Sequence, residues 1–454
     1  MFETLAWQDD SGKTPQPLLA SEWKLIDPLT WRMTLRKDVK FHDGSLLTSA
    51  DVIYNWQRVN KPDLKSPIPG RLSTTADITA IDANTIEIKT KTPDPIMLKR
   101  LNDFAILPKA YLEKVGDAEF GKNPIGTGPM RFKEFRPDDR IVVTRWDEHL
   151  TRKPKLTEVT IRVVPDPGAR LNGLRTGEVD IADQISIEGG ESIKRDGMQV
   201  FERPNGVGAF IIDTVGMEGV NPGPLVDKRV RQAINYAVDK ETLAKTVYRG
   251  FSKPGGQFVQ PGDYGYNPDV KPYPYDPAMA KRLLAEAGYP NGFKTTMDVY
   301  TVVPGATETA QYVQSQLKDV GVEVELIPFA EFAVYVDKIY KRKPIAPLFG
   351  PGSLQLASLG DPDQALQFYW SGQRAFGKRF DSPDFDRLYL ASREEMDVAK
   401  REAILRDLMK VAHDDSPSLY TVSVTVLFGV SKTVAGYEVR MPDDFRLDPI
   451  YRTK

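Results

Sequence analysis

The stretch that decides the fold is FHDGSLLTSADVIYNWQRV, residues 41–59. Asp43-Gly44 reads as a turn pair, because glycine supplies the positive φ that a tight turn needs. Thr48 stands where a helix N-cap should, and Asp51 three residues later completes a capping box. Val52, Trp56 and Val59 follow at helical spacing and predict one buried stripe. The histidine, aspartates and hydroxyls of this stretch therefore have structural tasks before any chemical one is invoked.

Outward from this element the chain alternates strands and helices. TWRMTLR (30–36) sets Trp31, Met33 and Leu35 on one face of a half-buried strand. DITAIDANTIEIKTKTPDP (77–95) predicts a hairpin around Asp82-Ala83-Asn84, and RFKEFRPDDRIVVTRW (131–146) a second around Pro137-Asp138-Asp139. Residues 156–185 run strand, short helix, strand through Val179 and Ile181, the alternation of a mixed or parallel sheet. Beyond them, Asp227, Asp239 and Asp276 are expected helix N-caps. The second of these helices is predicted to end at Gly250 and the third at Gly288, with Pro277 at its first position. A helix stopping at Gly321, a strand through Val322, Val324 and Leu326, a helix from Asp397 to His413 and a strand at 418–431 complete the pattern.

A chain of 454 residues exceeds one compact core, so two or three domains are expected. With 61 basic and 63 acidic residues, a net charge of −2 gives no electrostatic case for nucleic acid or an anionic membrane as partner. No run of 18 apolar residues exists to cross a bilayer, and MFETLAWQDDSGK (1–13) lacks the basic and apolar regions of a signal peptide. Cysteine is absent, which removes disulfides, thiol nucleophiles and zinc–thiolate or iron–sulfur sites. His42, His149 and His413 lie far apart, with no metal-ligand spacing, so no metal and no cofactor is expected. GTGPM (126–130) lacks the Lys-Ser/Thr of a phosphate loop, and no G-x-S-x-G elbow occurs. Asp361 with Asp363 could serve a glycosidase, but such pairs mostly form turns. No catalytic residue is assigned, and the expectation is a binding protein, not an enzyme.

Two clusters suit binding. Phe368, Tyr369 and Trp370 gather three aromatics, with Phe349 and the Gly350–Ser353 segment shortly before; aromatic rings in a cleft give contact area at low entropic cost. Asn102 and Phe104 form a second group, and Asn205, Ser358 and Asp361 complete the candidate ligand-binding set.

FHDGSLLTSADVIYNWQR resembles the signature of family 5 extracellular solute-binding proteins, the dipeptide-, oligopeptide- and nickel-binding components of ABC importers. Phe41, Asp43, Gly44, Thr48, Asp51, Val52 and Arg58 match it, while Ser49-Ala50 departs. PIGTGPMRFKEF (124–135), RTGEVDIAD (175–183), the block at 223–250, DPAMAKRLLAEAGYPNG (276–292) and VQSQLKDVGVEVEL (313–326) are similar to further family blocks in the same order. The resemblance implies an α/β, two-lobed type II periplasmic binding protein with an extra third domain and mixed sheets flanked by helices. By analogy residues 1–129 are the extra domain, 130–223 plus 425–454 the first lobe, and 224–424 the second. It implies a small polar solute, peptide-like or of sugar, opine or metal-chelate type, held between the lobes of a monomer. It also implies delivery to a membrane permease from a periplasmic location. Relatives open with an export signal and a further segment ahead of the FETL element, so about 30–40 residues of the first lobe are expected to be missing. Peptide-binding relatives meet the ligand's ammonium with an acid in the region matching FGPGSLQLASLGDPDQALQFYW (349–370); Ser358 falls where that acid would be.

Overall fold

A computed structural model describes residues 1–8, 14–216, 221–301, 303, 305–340, 346–354, 361–372, 378–439 and 447–453. The opening stretch folds as its chemistry dictates. Gly44 takes φ +88°, and its N–H donates to the Phe41 carbonyl at 2.9 Å. The helix Ser49–Val59 starts at Thr48, whose N–H donates to Asp51 Oδ2 at 2.9 Å. Asp51 Oδ1 also accepts from the Lys109 N–H at 2.9 Å, so the cap fastens a second helix. Val52, Trp56 and Val59 then pack with Met33, Leu35, Ile78, Ile86 and Ile88. These come from a four-stranded antiparallel sheet in the order Ala20–Asp27, Thr30–Leu35, Thr85–Thr90, Thr75–Asp82.

His42 has a structural task as well. Its Nδ1 accepts from the Gly126 N–H at 3.2 Å, and its Nε2 lies 2.8 Å from the Gly128 carbonyl, which fixes the neutral Nε2–H tautomer. Burial pushes its pKa down to about 4 from 6.5. The folded state therefore refuses a proton that the unfolded chain accepts near pH 6.5. This contribution is complete above about pH 6.5 and declines as the pH falls toward about 4. At 1.36 kcal/mol per pKa unit, up to about 3 kcal/mol is lost across that window. Denaturant titrations of His42→Gln between those pH values should give a flatter stability profile than the parent; parallel profiles would refute the assignment.

Met130–Arg136, Arg140–Arg145 and Glu158–Arg162 form a three-stranded antiparallel sheet, and Asp138 adopts φ +58° in the first turn. The largest sheet has six strands, in the order Ile181–Ile185, Ser418–Val430, Gln199–Ile212, Leu348–Leu354, Phe293–Tyr300, Val322–Phe329. Its two long central strands are antiparallel and carry different neighbours at each end. Residues 427–430 pair with Ile181–Ile185 at one end, whereas 207–212 pair with Leu348–Leu354 at the other. Between these ends the register shifts at Pro204–Val207 and again at Val207–Ala209. Burial lapses at Val424, Thr425 and Val426 in a strand otherwise buried along its length. Val424, Thr425 and Val426 are thus half-buried between two buried stretches of the same strand.

The helical punctuation agrees with residue chemistry. Asp227, Asp239, Asp276 and Asp397 each accept a backbone N–H at the start of Lys228–Tyr236, Lys240–Thr246, Pro277–Glu286 and Val398–Asp415. The second helix stops at Thr246, short of Gly250, which follows in a turn with φ +83°. Gly292 has φ +75°, and a Cβ there would meet the Gly321 carbonyl oxygen at 1.8 Å, so the two loops cross where only glycine fits.

Candidate functional site

The strand Leu348–Leu354 turns Phe349 into a core shared with Phe258, Tyr369, Phe385, Tyr389 and Tyr420. Tyr369 is only 1% exposed. Its Oη lies 2.6 Å from Ser418 Oγ, its ring centroid is 4.6 Å from that of Phe258, and burial pushes its phenol pKa well up. Phe349 is covered by the Arg379 guanidinium, 4.6 Å from its ring centre. Phe368 and Trp370 are half-buried against the same core, with Trp370 at 5.8 Å from Tyr389. The three consecutive aromatics thus divide by orientation, the middle one inward and its neighbours at the margin. Gly350 holds φ +147°. Ser353 pairs with Gly208 through the backbone, and Asn205 lies at the register shift between Pro204 and Val207. The side chains of Ser353 and Asn205, and the whole of Ser358, lie outside the described residues.

Asp361, fully buried, is gripped on both oxygens by Arg401, at 2.6 and 2.8 Å. Lys99 Nζ lies 3.5 Å from the same carboxylate, and the Asp363 N–H donates to it at 3.1 Å. Burial alone would raise this carboxyl's pKa, but Arg401 and Lys99 reverse the effect and hold it well below the usual range. Asp363 meets Arg100 at 3.4 Å and Arg393 at 3.4 Å; here burial prevails and the pKa is raised. Arg100 also reaches Asp94 at 3.0 Å. Tyr264 lies under both the Lys99 ammonium and the Arg401 guanidinium, at 5.0 and 5.3 Å, and burial pushes its phenol up to about 12.

This network links the segments that carry the two clusters found in the sequence. The segment Met97–Arg100 leads directly into Leu101–Asp103, which carries a half-buried Asn102. Phe104 follows, 1% exposed and edge-on to Trp56 at 6.5 Å in the core of the four-stranded unit. Asp361 is therefore engaged by protein cations, and Phe104 and Tyr369 by packing.

A cavity of about 270 Å³ lies elsewhere, lined among others by Trp7, Arg36, Asp38, Trp146 and His149. His149 Nε2 lies 3.2 Å from Glu3 Oε1, and Arg152 bridges Glu3 to Asp448. Among the described residues, no group of three or more His, Asp or Glu is placed to hold a metal ion.

Residues 14–377 match the family described as bacterial extracellular solute-binding proteins, family 5. The chain belongs to this family. A glutathione-binding protein of Pectobacterium atrosepticum is 30% identical over 428 residues, covering 92% of this chain and 81% of that protein. The dipeptide-binding protein of Escherichia coli is 28% identical over 459 residues, covering 93% and 83%. The structure of HbpA2 from Haemophilus parasuis superposes with a TM-score of 0.86 at 24% identity, over 100% of this chain and 94% of that one. The fold is thus the type II periplasmic binding protein fold. This family 5 solute-binding protein is the substrate-binding component of an ABC importer, which hands its solute to a permease. Its relatives are binding proteins, and among the described residues no helix is long and apolar enough to cross a membrane.

Reading the sequence of this solute-binding protein by motif missed Lys99, Arg100 and Arg401. A signal was present. Lys99-Arg100 interrupts the apolar run Ile96-Met97-Leu98 and Leu101, and Arg401 lies on the stripe of Leu405, Leu408 and Ala412 that its helix buries. A charge on a buried stripe requires a partner, although spacing alone cannot say which.

Proposed function

We propose that this solute-binding protein captures a peptide-like solute between a lobe centred on residues 130–223 with 425–454 and a lobe centred on 224–424, residues 1–129 lying beside the first. It closes by pivoting on its two long strands and performs no reaction on the guest. The observation that carries this reading is a waist in the paired strands, where the register shift between Pro204 and Val207 coincides with the lapse in burial at Val424–Val426. Backbone pairing continues across it, but little side-chain packing resists bending there. The register shifts favour a first crossing at residues 204–207, ahead of residue 223. The glutathione- and dipeptide-binding relatives favour a solute with amide and carboxylate groups. Asn102, Asn205, Ser353, Ser358, Phe368 and Trp370 are the side chains we assign to solute contact. Because Asp361 is already satisfied by Arg401 and Lys99, a ligand ammonium has to be met elsewhere. The protein acts as a monomer in the periplasm.

Small-angle scattering with reduced glutathione, di- and tripeptides, an oligosaccharide and an opine in turn tests this. A radius of gyration that falls with glutathione or a peptide supports the reading. Compaction with the sugar or opine alone would replace the solute class, and unchanged dimensions across the panel would overturn hinge closure. The closed state is favoured only through contacts that the open state lacks.

A further inference from the structure

The geometry points to Lys99 and Arg100 as closure-determining residues, whose ion pairs with Asp361 and Asp363 form across the seam between two units and part when the protein opens. The inference rests on the two-lobed reading above, since it takes residues 94–100 and 361–401 to move apart.

Three features carry it. First, the seam is charged yet buried: Lys99, Arg100 and Arg401 face Asp94, Asp361 and Asp363, each with a side chain at most 8% exposed, and Arg393 stands at the edge. A permanently fused interface gains little from buried charges that apolar side chains could replace, whereas a surface that must be soluble when exposed requires them.

Second, every carboxylate of the seam has a cation on its own side, Asp363 through Arg393 at 3.4 Å. Arg401 holds Asp361 at 2.6 Å and Arg100 holds Asp94 at 3.0 Å, while Lys99–Asp361 and Arg100–Asp363 span 3.5 and 3.4 Å. On separation Asp361 keeps Arg401, Asp363 keeps Arg393 and Arg100 keeps Asp94. No carboxylate is stranded.

Third, Lys99 also covers the Tyr264 ring at 5.0 Å, so it meets a second group on the far side of the seam. The latch therefore adds a closing bias independent of the solute, and Asp361 contributes to capture through Lys99 while remaining apart from the guest.

The chain has no cysteine, so spin labels can be placed uniquely at Thr79→Cys and Ser315→Cys, both exposed and on different units. Distances between them are measured by pulsed electron resonance in this background and with Lys99→Met and Arg100→Met added, with and without reduced glutathione. Without glutathione, the methionine variant should shift its open-to-closed ratio about tenfold toward longer distances. With saturating glutathione both proteins should show the same short distance, and the variant's apparent Kd should rise by up to about tenfold. Identical distributions without glutathione would overturn the latch. A shift without any response to glutathione or peptides would uphold the latch and refute the peptide-like reading. Should the double variant fail to fold, Lys99→Met alone carries the test, because Asp361 retains Arg401; it should shift the distances in the same direction, and no shift would overturn the inference.

Discussion

Replacing Arg401 by methionine is expected to destabilise the protein by about 3–5 kcal/mol, the range for removing one partner of a buried pair. Asp361 would keep only Lys99, at 3.5 Å, as a cation, with no solvent to complete its shell. The Arg401 Nε–H also donates to the Ser392 carbonyl at 2.7 Å, so the helix Val398–Asp415 would lose one of its ties to Pro383–Glu394. Urea titration should show an earlier midpoint for the unit containing these helices. The loss should shrink in acid, because once Arg401 is absent the carboxyl is driven upward by burial and neutralises more readily. An unchanged midpoint would mean that Asp361 is not buried with Arg401 in solution.

Tyr369→Ala should have a comparable effect, about 3–5 kcal/mol, the range for deleting a buried aromatic ring. The ring packs on Phe258, Phe380 and Phe385, and its hydroxyl is paired with Ser418 on one of the two long strands. Tyr369→Phe isolates the hydroxyl and should cost about 1–3 kcal/mol, since Ser418 Oγ would be left buried without that partner. Trp370→Ala is the contrast: half-buried at the core margin, it should weaken solute binding by more than it lowers the unfolding midpoint. Titration calorimetry beside denaturation separates these outcomes. If Tyr369→Phe lowered affinity and left stability unchanged, Tyr369 would be a contact residue, and its packing would be incidental.

These cases show where residue patterns suffice. Thr48 and Asp51, Asp227, Asp239 and Asp276 could be read directly because a cap satisfies backbone groups within three residues of itself. The stripe of Val52, Trp56 and Val59 was equally plain, since helical periodicity is local. The aromatic triplet was not, because consecutive residues diverge in direction and only packing reveals that Tyr369 faces inward. Asp361-Pro362-Asp363 looked like a turn or ligand segment, yet its first carboxylate is occupied by cations 40 and 262 residues away.

The sequence by itself determined the elements, their caps and turns, the α/β class and, through ordered blocks, the resemblance to solute-binding proteins, since each depends on chemistry within a few residues or on a linear pattern. Only the tertiary structure decided that two strands more than 200 residues apart pair along their length, that Lys99 and Arg100 meet Asp361 and Asp363, and that Tyr369 is enclosed. The physical reason is that a buried charge or ring chooses its partner by proximity in space, and any of several cations would have satisfied the same aspartate on paper.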